Sequence, residues 1–140
     1  MALQPVFDGH NDLLSCLWGA GDHEGRAFFD GWEGMVSLPA CRAGGMAGGF
    51  FAIWVPGEKA GAPDPMATYR AYPPVSVEKA HRVTLEQAAI LIRMAAARPD
   101  AIRLCRTVAE IEAARAAGAV AAILHIEGCE GIGAGLDELH

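Results

Sequence analysis

A parallel α/β layer is the fold class this sequence predicts, and three observations predict it. Two uninterrupted apolar runs of strand length, Phe50 to Val55 and Ala119 to Leu124, are bounded by glycine or proline. Between them lie two segments with apolar residues at helical spacing, each opened by a Thr-x-x-Glu/Gln pattern. Chemically reactive side chains follow the first and last extended segments directly, at their C-terminal ends. Strands covered on both faces read as continuous rather than alternating apolar runs, the habit of parallel sheets flanked by helices. The 140 residues are 52% hydrophobic and 20% charged, which is enough to bury one core and too apolar for disorder.

Taken in order, Pro5-Val6-Phe7-Asp8 begins extended, and Asp8, His10 and Asp12 then occupy alternate positions. They share one face of a strand if the strand persists that far. Gly19 to Gly34 reads as a glycine-containing loop. Gly44, Gly45, Gly48 and Gly49 lead into the Phe50 to Val55 run, predicting a buried strand with a tight approach at its start and a stop at Pro56. Pro56 to Pro74 holds five of the eight prolines and divides the chain. Thr84-Leu85-Glu86-Gln87 has the form of a capping box, and Ala88, Leu91, Ile92 and Ala95 continue at helical spacing until Pro99. Thr107-Val108-Ala109-Glu110 repeats the box and opens a shorter helix that ends at Gly118. Ala119 to Leu124 follows as a strand ending in His125-Ile126-Glu127-Gly128. Strand, helix, short strand, helix, strand is the rhythm of a parallel layer.

Eleven basic against 17 acidic residues give a net charge of -6, with no Lys/Arg run to track a phosphate backbone, so nucleic acid is excluded as a partner. The longest uncharged stretch, Ala43 to Gly57, falls short of the roughly 20 apolar residues a membrane span needs. The N-terminus has no basic segment followed by an apolar one, so a cytoplasmic chain starting at Met1 is expected. Cysteines 16, 41, 105 and 129 form no Cys-x-x-Cys pair and read as reduced thiols.

Active sites of α/β folds lie at the C-terminal edge of the sheet, where His10, Asp12 and Glu127 are expected. His-x-Asp on a strand spans about 6 to 7 Å along the backbone, which lets an imidazole and a carboxylate reach one divalent ion, zinc or a similar metal. A hydrogen-bonded turn is the alternative for that pair. His125 faces the side of Glu127 on a regular strand, either orienting that carboxylate or bonding to backbone in the core. Asp8 is placed beneath the His-x-Asp pair, as a supporting residue. Asp22-His23-Glu24 reads as a solvated turn, Cys129 as a small buried hydrophobe, and Phe50 and Trp54 as strand packing. Glycines 128, 131, 133 and 135 do not form G-x-G-x-x-G, so dinucleotide binding is not expected.

Four ordered blocks carry a family resemblance: Asp8-Gly9-His10-Asn11-Asp12-Leu13, the run Gly48 to Pro56, Thr84-Leu85-Glu86-Gln87, and His125-Ile126-Glu127-Gly128. Together they resemble the N-terminal blocks of the membrane dipeptidase (renal dipeptidase) family. The resemblance implies the N-terminal portion of a (β/α)8 barrel, with residues 1–140 an incomplete part of a single catalytic domain. It further implies a metallopeptidase with two zinc ions per complete site that hydrolyses dipeptides, including those with a C-terminal D-residue, by a hydroxide shared between the ions. His10 and Asp12 then match the ligands of one zinc, and Glu127 matches the bridging carboxylate and central catalytic group.

Two departures accompany the resemblance. The family's two later histidine ligands, a further aspartate ligand and a substrate-binding histidine find no match before His140, so the segment alone is expected to be inactive. A complete barrel takes about 250 residues. Gly128-Cys129-Glu130 stands where renal-type members often have Gly-Gly-His after the glutamate. Two other readings stay open: a non-catalytic α/β module that binds a metal or a partner, and a related amidohydrolase acting on another amide or ester. An open barrel fragment exposes strand edges, so the isolated segment is expected to self-associate.

Overall fold

The computed structural model describes residues 4–57 and 75–139, so most of the proline-rich stretch lies outside the described residues. Four parallel strands form one sheet: β1 (Val6–Asn11), β2 (Met46–Trp54), β3 (Ile102–Leu104) and β4 (Val120–Glu127), in spatial order β1-β2-β4-β3. The helices are α1 (Leu13–Gly19), α2 (Arg26–Asp30), α3 (Leu38–Gly44), α4 (Val77–Ala97) and α5 (Val108–Ala116). From β2 the chain crosses by α4 to the edge strand β3, then returns by α5 to β4, inside it. Two right-handed crossovers running in opposite directions put their helices on opposite faces. The packing agrees. Ala121 lies with Cys105 and Ala114 of α5, whereas the next residue, Ala122, lies in a core with Ile90, Leu91 and Met94 of α4.

That main core also takes Leu13, Leu14 and Leu17 from α1, Phe28 from α2, Leu38 from α3, and Phe51 and Ile53 from β2. A seven-residue helix such as α1 is marginal on its own. Each buried leucine contributes about 1.5 to 3 kcal/mol, so tertiary burial holds α1 in place. The expected tight approach at the start of β2 is present. A Cβ on Gly48 would lie 2.5 Å from the Ala121 carbonyl oxygen and 2.8 Å from the Phe7 ring. Only a residue without a side chain lets β1, β2 and β4 meet there.

Three expectations are corrected. Gly19 to Gly34 contains α2, and its first residue closes α1. The helix predicted to open at Thr84 begins eight residues earlier, where the Ser76 hydroxyl accepts the Lys79 backbone N–H at 3.3 Å. Lys79 stands where a capping box needs Glu or Gln, and Ala80 and Val83 extend the helix by packing on Val55. Thr84 therefore sits mid-helix, and its buried hydroxyl has no hydrogen-bond partner among the described residues. Finally, β1 is not a regular strand. Asp8 pairs with Gly49 but Asn11 with Phe51, so one extra residue bulges from β1. The box at Thr107 holds as predicted, with Glu110 N–H donating to Thr107 and the Glu110 carboxylate accepting the Thr107 N–H.

Candidate metal centre at the strand ends

The bulge decides which residues meet. It puts Asp8 and Asn11 together over Gly49 and Phe51, on the side facing α1 and α4, and turns His10 to the other face. Asp8 is thus not stacked with His10 and Asp12 as alternation predicted. Its carboxylate instead accepts the His10 backbone N–H at 3.3 Å and the Asn11 amide at 3.1 Å, bracing the bulge from within. The Asn11 amide also donates to the Phe50 carbonyl at 3.1 Å and ties the bulge to β2. Asp12 lies just past the strand, at the N-cap of α1, yet its side chain makes no capping bond and stays free for another partner.

From the far side of β2 comes Glu127, the last residue of β4, in register with Trp54. Gly128 follows with φ of 88°, a left-handed turn that takes the chain away from the sheet immediately after the carboxylate. The next segment folds back on α4, where His81 Nε2 lies 2.6 Å from the Gly131 carbonyl oxygen and 3.2 Å from a Glu138 oxygen.

His10 Nε2 lies 3.4 Å from Asp12 Oδ1 and 3.6 Å from Glu127 Oε2, and one donor atom from each of the three lies within 4.8 Å of the others. Zinc bonds of about 2.0 to 2.2 Å in tetrahedral array hold neighbouring donors about 3.3 to 3.6 Å apart, a spacing that both His10 pairs come close to. One imidazole and two carboxylates also supply the hard and borderline donors that a divalent cation prefers. All three side chains are roughly half exposed, opening into a cleft of about 420 Å³ also lined by Ser15 and Trp54.

His125 shares the face of Glu127 but packs elsewhere. Its ring stands edge-on to both His10 and Phe50, with centroids 6.0 Å apart in each case, and no hydrogen bond joins it to Glu127 among the described residues. It therefore buttresses the His10 ring. Phe50 packs as expected, against Phe7 and His125. Trp54 does not: it is 46% exposed in the cleft, a position that its place at the strand's C-terminal edge, level with Glu127, could have foretold. Cys129 is exposed rather than buried, because the turn at Gly128 carries it off the sheet, and the described cysteines are free. Asp22-His23-Glu24 is structural: Asp22 accepts the N–H groups of Arg26 and Ala27, while Arg93 bonds the His23 carbonyl and pairs with Glu24. Among the described residues no helix is long and apolar enough to cross a membrane.

Comparison with known proteins places this arrangement. The family model for membrane dipeptidase (peptidase family M19) matches residues 1–140. An uncharacterized protein in the PQQ-III 3′ region of Acinetobacter calcoaceticus is 31% identical over 141 residues, covering 91% of this chain and 42% of that protein. Among solved structures, the dipeptidase AC, a metallopeptidase of family M19, superposes with a TM-score of 0.83 at 38% identity, covering 99% of this chain and 41% of that one. A metallopeptidase from Rhodobacter sphaeroides, liganded with a phosphinate mimic of the dipeptide L-Ala-D-Ala, gives 0.78 at 36% identity, covering 99% and 42%. The chain thus spans about two fifths of these relatives' length, and its sheet is the corresponding portion of a larger α/β architecture. On the match along its whole length, the chain belongs to the membrane dipeptidase family, peptidase family M19.

Proposed function

We propose that this chain forms part of a zinc-dependent dipeptidase that accepts a D-residue at the C-terminal position, with His10, Asp12 and Glu127 as its metal ligands. The convergence of those three donors at the C-terminal edge of the sheet carries the reading. A relative whose solved structure holds an L-Ala-D-Ala mimic supports the substrate class.

Within this site each side chain has a task. His10 offers Nε2, and the Asp8 carboxylate fixes the backbone from which its ring projects. Asp12 contributes an oxygen that α1 does not use for capping. Glu127 presents Oε2 toward His10 and has a second oxygen, so it would be the residue to hold a further ion beside the first. A zinc ion held by these residues would supply Lewis acidity toward the scissile carbonyl and a lowered pKa for the attacking water. Glu127 is thus the carboxylate that would hold the ions on either side of the attacking water, and Trp54 and Ser15 wall the cleft where the substrate would lie.

The test uses the full-length protein. Zinc content and hydrolysis of L-Ala-D-Ala are measured for wild type, His10→Ala and Glu127→Ala, with and without chelator. Loss of zinc and turnover in both variants, with circular dichroism preserved, is the expected result. Undiminished turnover in either variant refutes the assignment.

A further inference from the structure

We propose that the segment Gly31 to Ser37 is the wall of a specificity pocket for an apolar side chain on the substrate's N-terminal residue, with Trp32 and Met35 setting the preference. The proposal rests on the dipeptidase reading above. A second cleft, of about 610 Å³, runs between the end of β1 and this segment. His10 and Asp12 line this cleft and the one holding Trp54, so the metal ligands stand on the ridge between them. A substrate whose amide lies over the ligands extends into both.

The wall is built before any ligand arrives. The Trp32 indole N–H donates to the Val36 carbonyl at 2.9 Å. Gly34 lies flat against the indole ring, where any side chain would collide with it. Buried Ser37 anchors the segment by capping α3, accepting the Ala40 N–H at 3.4 Å. A ring fixed at both its edge and its face gives up little freedom on binding, which favours affinity. Met35 is 94% exposed beside it, a flexible thioether that no core residue covers and that adapts to apolar groups of varied shape.

Charge selects the end of the substrate. Among the described residues no Lys or Arg lines this cleft, whereas Asp8 and Asp12 do. A free α-carboxylate finds no cationic side chain to pair with there, so the N-terminal residue enters. Its side chain then meets Trp32 and Met35.

The experiment measures kcat/KM of the zinc-loaded full-length protein on X-D-Ala dipeptides, with X as Gly, L-Ala, L-Leu or L-Phe, and on L-Ala-X dipeptides with the same range of D-residues. The expected wild-type preference for Leu or Phe over Gly at the N-terminal position is about tenfold or more. Trp32→Ala reduces that ratio by about tenfold, Met35→Ala by about threefold, and Trp32→Phe retains most of it. The ratio is read within each variant, so a general loss of folded protein cancels. An unchanged ratio in Trp32→Ala, a wild type without preference, or an effect confined to the C-terminal position overturns the proposal. No turnover of any dipeptide overturns the dipeptidase reading, and this proposal with it.

Discussion

Replacing Gln87 with Met tests how the sheet holds its functional edge. Gln87 is fully buried on α4 and clasps the last residue of β2: its amide oxygen accepts the Trp54 N–H at 3.1 Å, and its amide nitrogen donates to the Trp54 carbonyl at 2.7 Å. The last registered residue of β1, Asn11, pairs with Phe51, so β1 offers Trp54 no partner and the glutamine stands in for a strand. Methionine keeps the length and volume and removes both bonds. A buried backbone group left unpaired costs about 1 to 3 kcal/mol. Trp54 is partly reached by water, so the low end applies to each of the two groups, and the expected loss is about 2 to 3 kcal/mol. Urea unfolding of the full-length protein in the metal-free state reads it as a lower midpoint at unchanged m-value. Because Trp54 pairs in register with Glu127, zinc affinity should also fall, by about tenfold, as for other residues that support a ligand without touching the metal. A stability change below about 0.5 kcal/mol, the scatter of ordinary surface substitutions, with zinc affinity intact, would refute the clamp.

Two further outcomes follow from local geometry. Gly48→Ala forces a Cβ to 2.5 Å from the Ala121 carbonyl, and backbone cannot retreat as a flexible side chain can, so a loss of about 3 kcal/mol is expected in the same unfolding assay. Asp22 feels partial burial, which raises its pKa, but the N–H groups of Ala27, Arg26, Glu24 and Gly25 together hold it below the ordinary aspartate value of 3.8. A carboxyl with a lowered folded-state pKa adds stability above its unfolded value and loses it as the pH falls through the folded one. The Tm of the metal-free protein should thus drop more steeply below about pH 4 in wild type than in Asp22→Asn, which starts lower at neutral pH and titrates less. Parallel Tm profiles would dismiss that role.

What could be read from sequence was what burial writes into it. β2 and β4 showed as continuous apolar runs because both faces are covered, and α5 showed because its capping box satisfies its own first turn. The helices α1 to α3 run five to seven residues, too short to establish a periodic stripe, and they exist because Leu13, Leu14, Leu17, Phe28 and Leu38 find a core that the sheet provides. Ser37 followed by Pro39 was nonetheless a readable start signal for α3. The Thr84 block misled because Glu86 and Gln87 are polar for tertiary reasons: Glu86 accepts the Trp18 indole N–H at 2.7 Å, and Gln87 holds Trp54. The meeting of His10, Asp12 and Glu127 at one edge of the sheet was legible from their place at or just past strand ends. The bulge that separates Asp8 from His10 was not, since pairing between distant strands creates it and no local residue pattern announces it.

The cluster of His10, Asp12 and Glu127 also shows why it sits where it does. Asp12 and Glu127 offer oxygens within 4.8 Å of each other, and neither pairs with Lys or Arg among the described residues. At that separation two negative charges repel by about 1 kcal/mol in water and about 3 to 4 kcal/mol at the effective dielectric of a protein surface. Burying such a pair would add a desolvation cost larger than a small α/β layer can carry. Half exposure keeps the repulsion at the low end, and a divalent cation reverses its sign. The three donors are held by separate means: the braced bulge of β1, the N-cap of α1, and β4 locked in register to β2. The backbone positions of the three groups are therefore set by the fold, ahead of any bound ion.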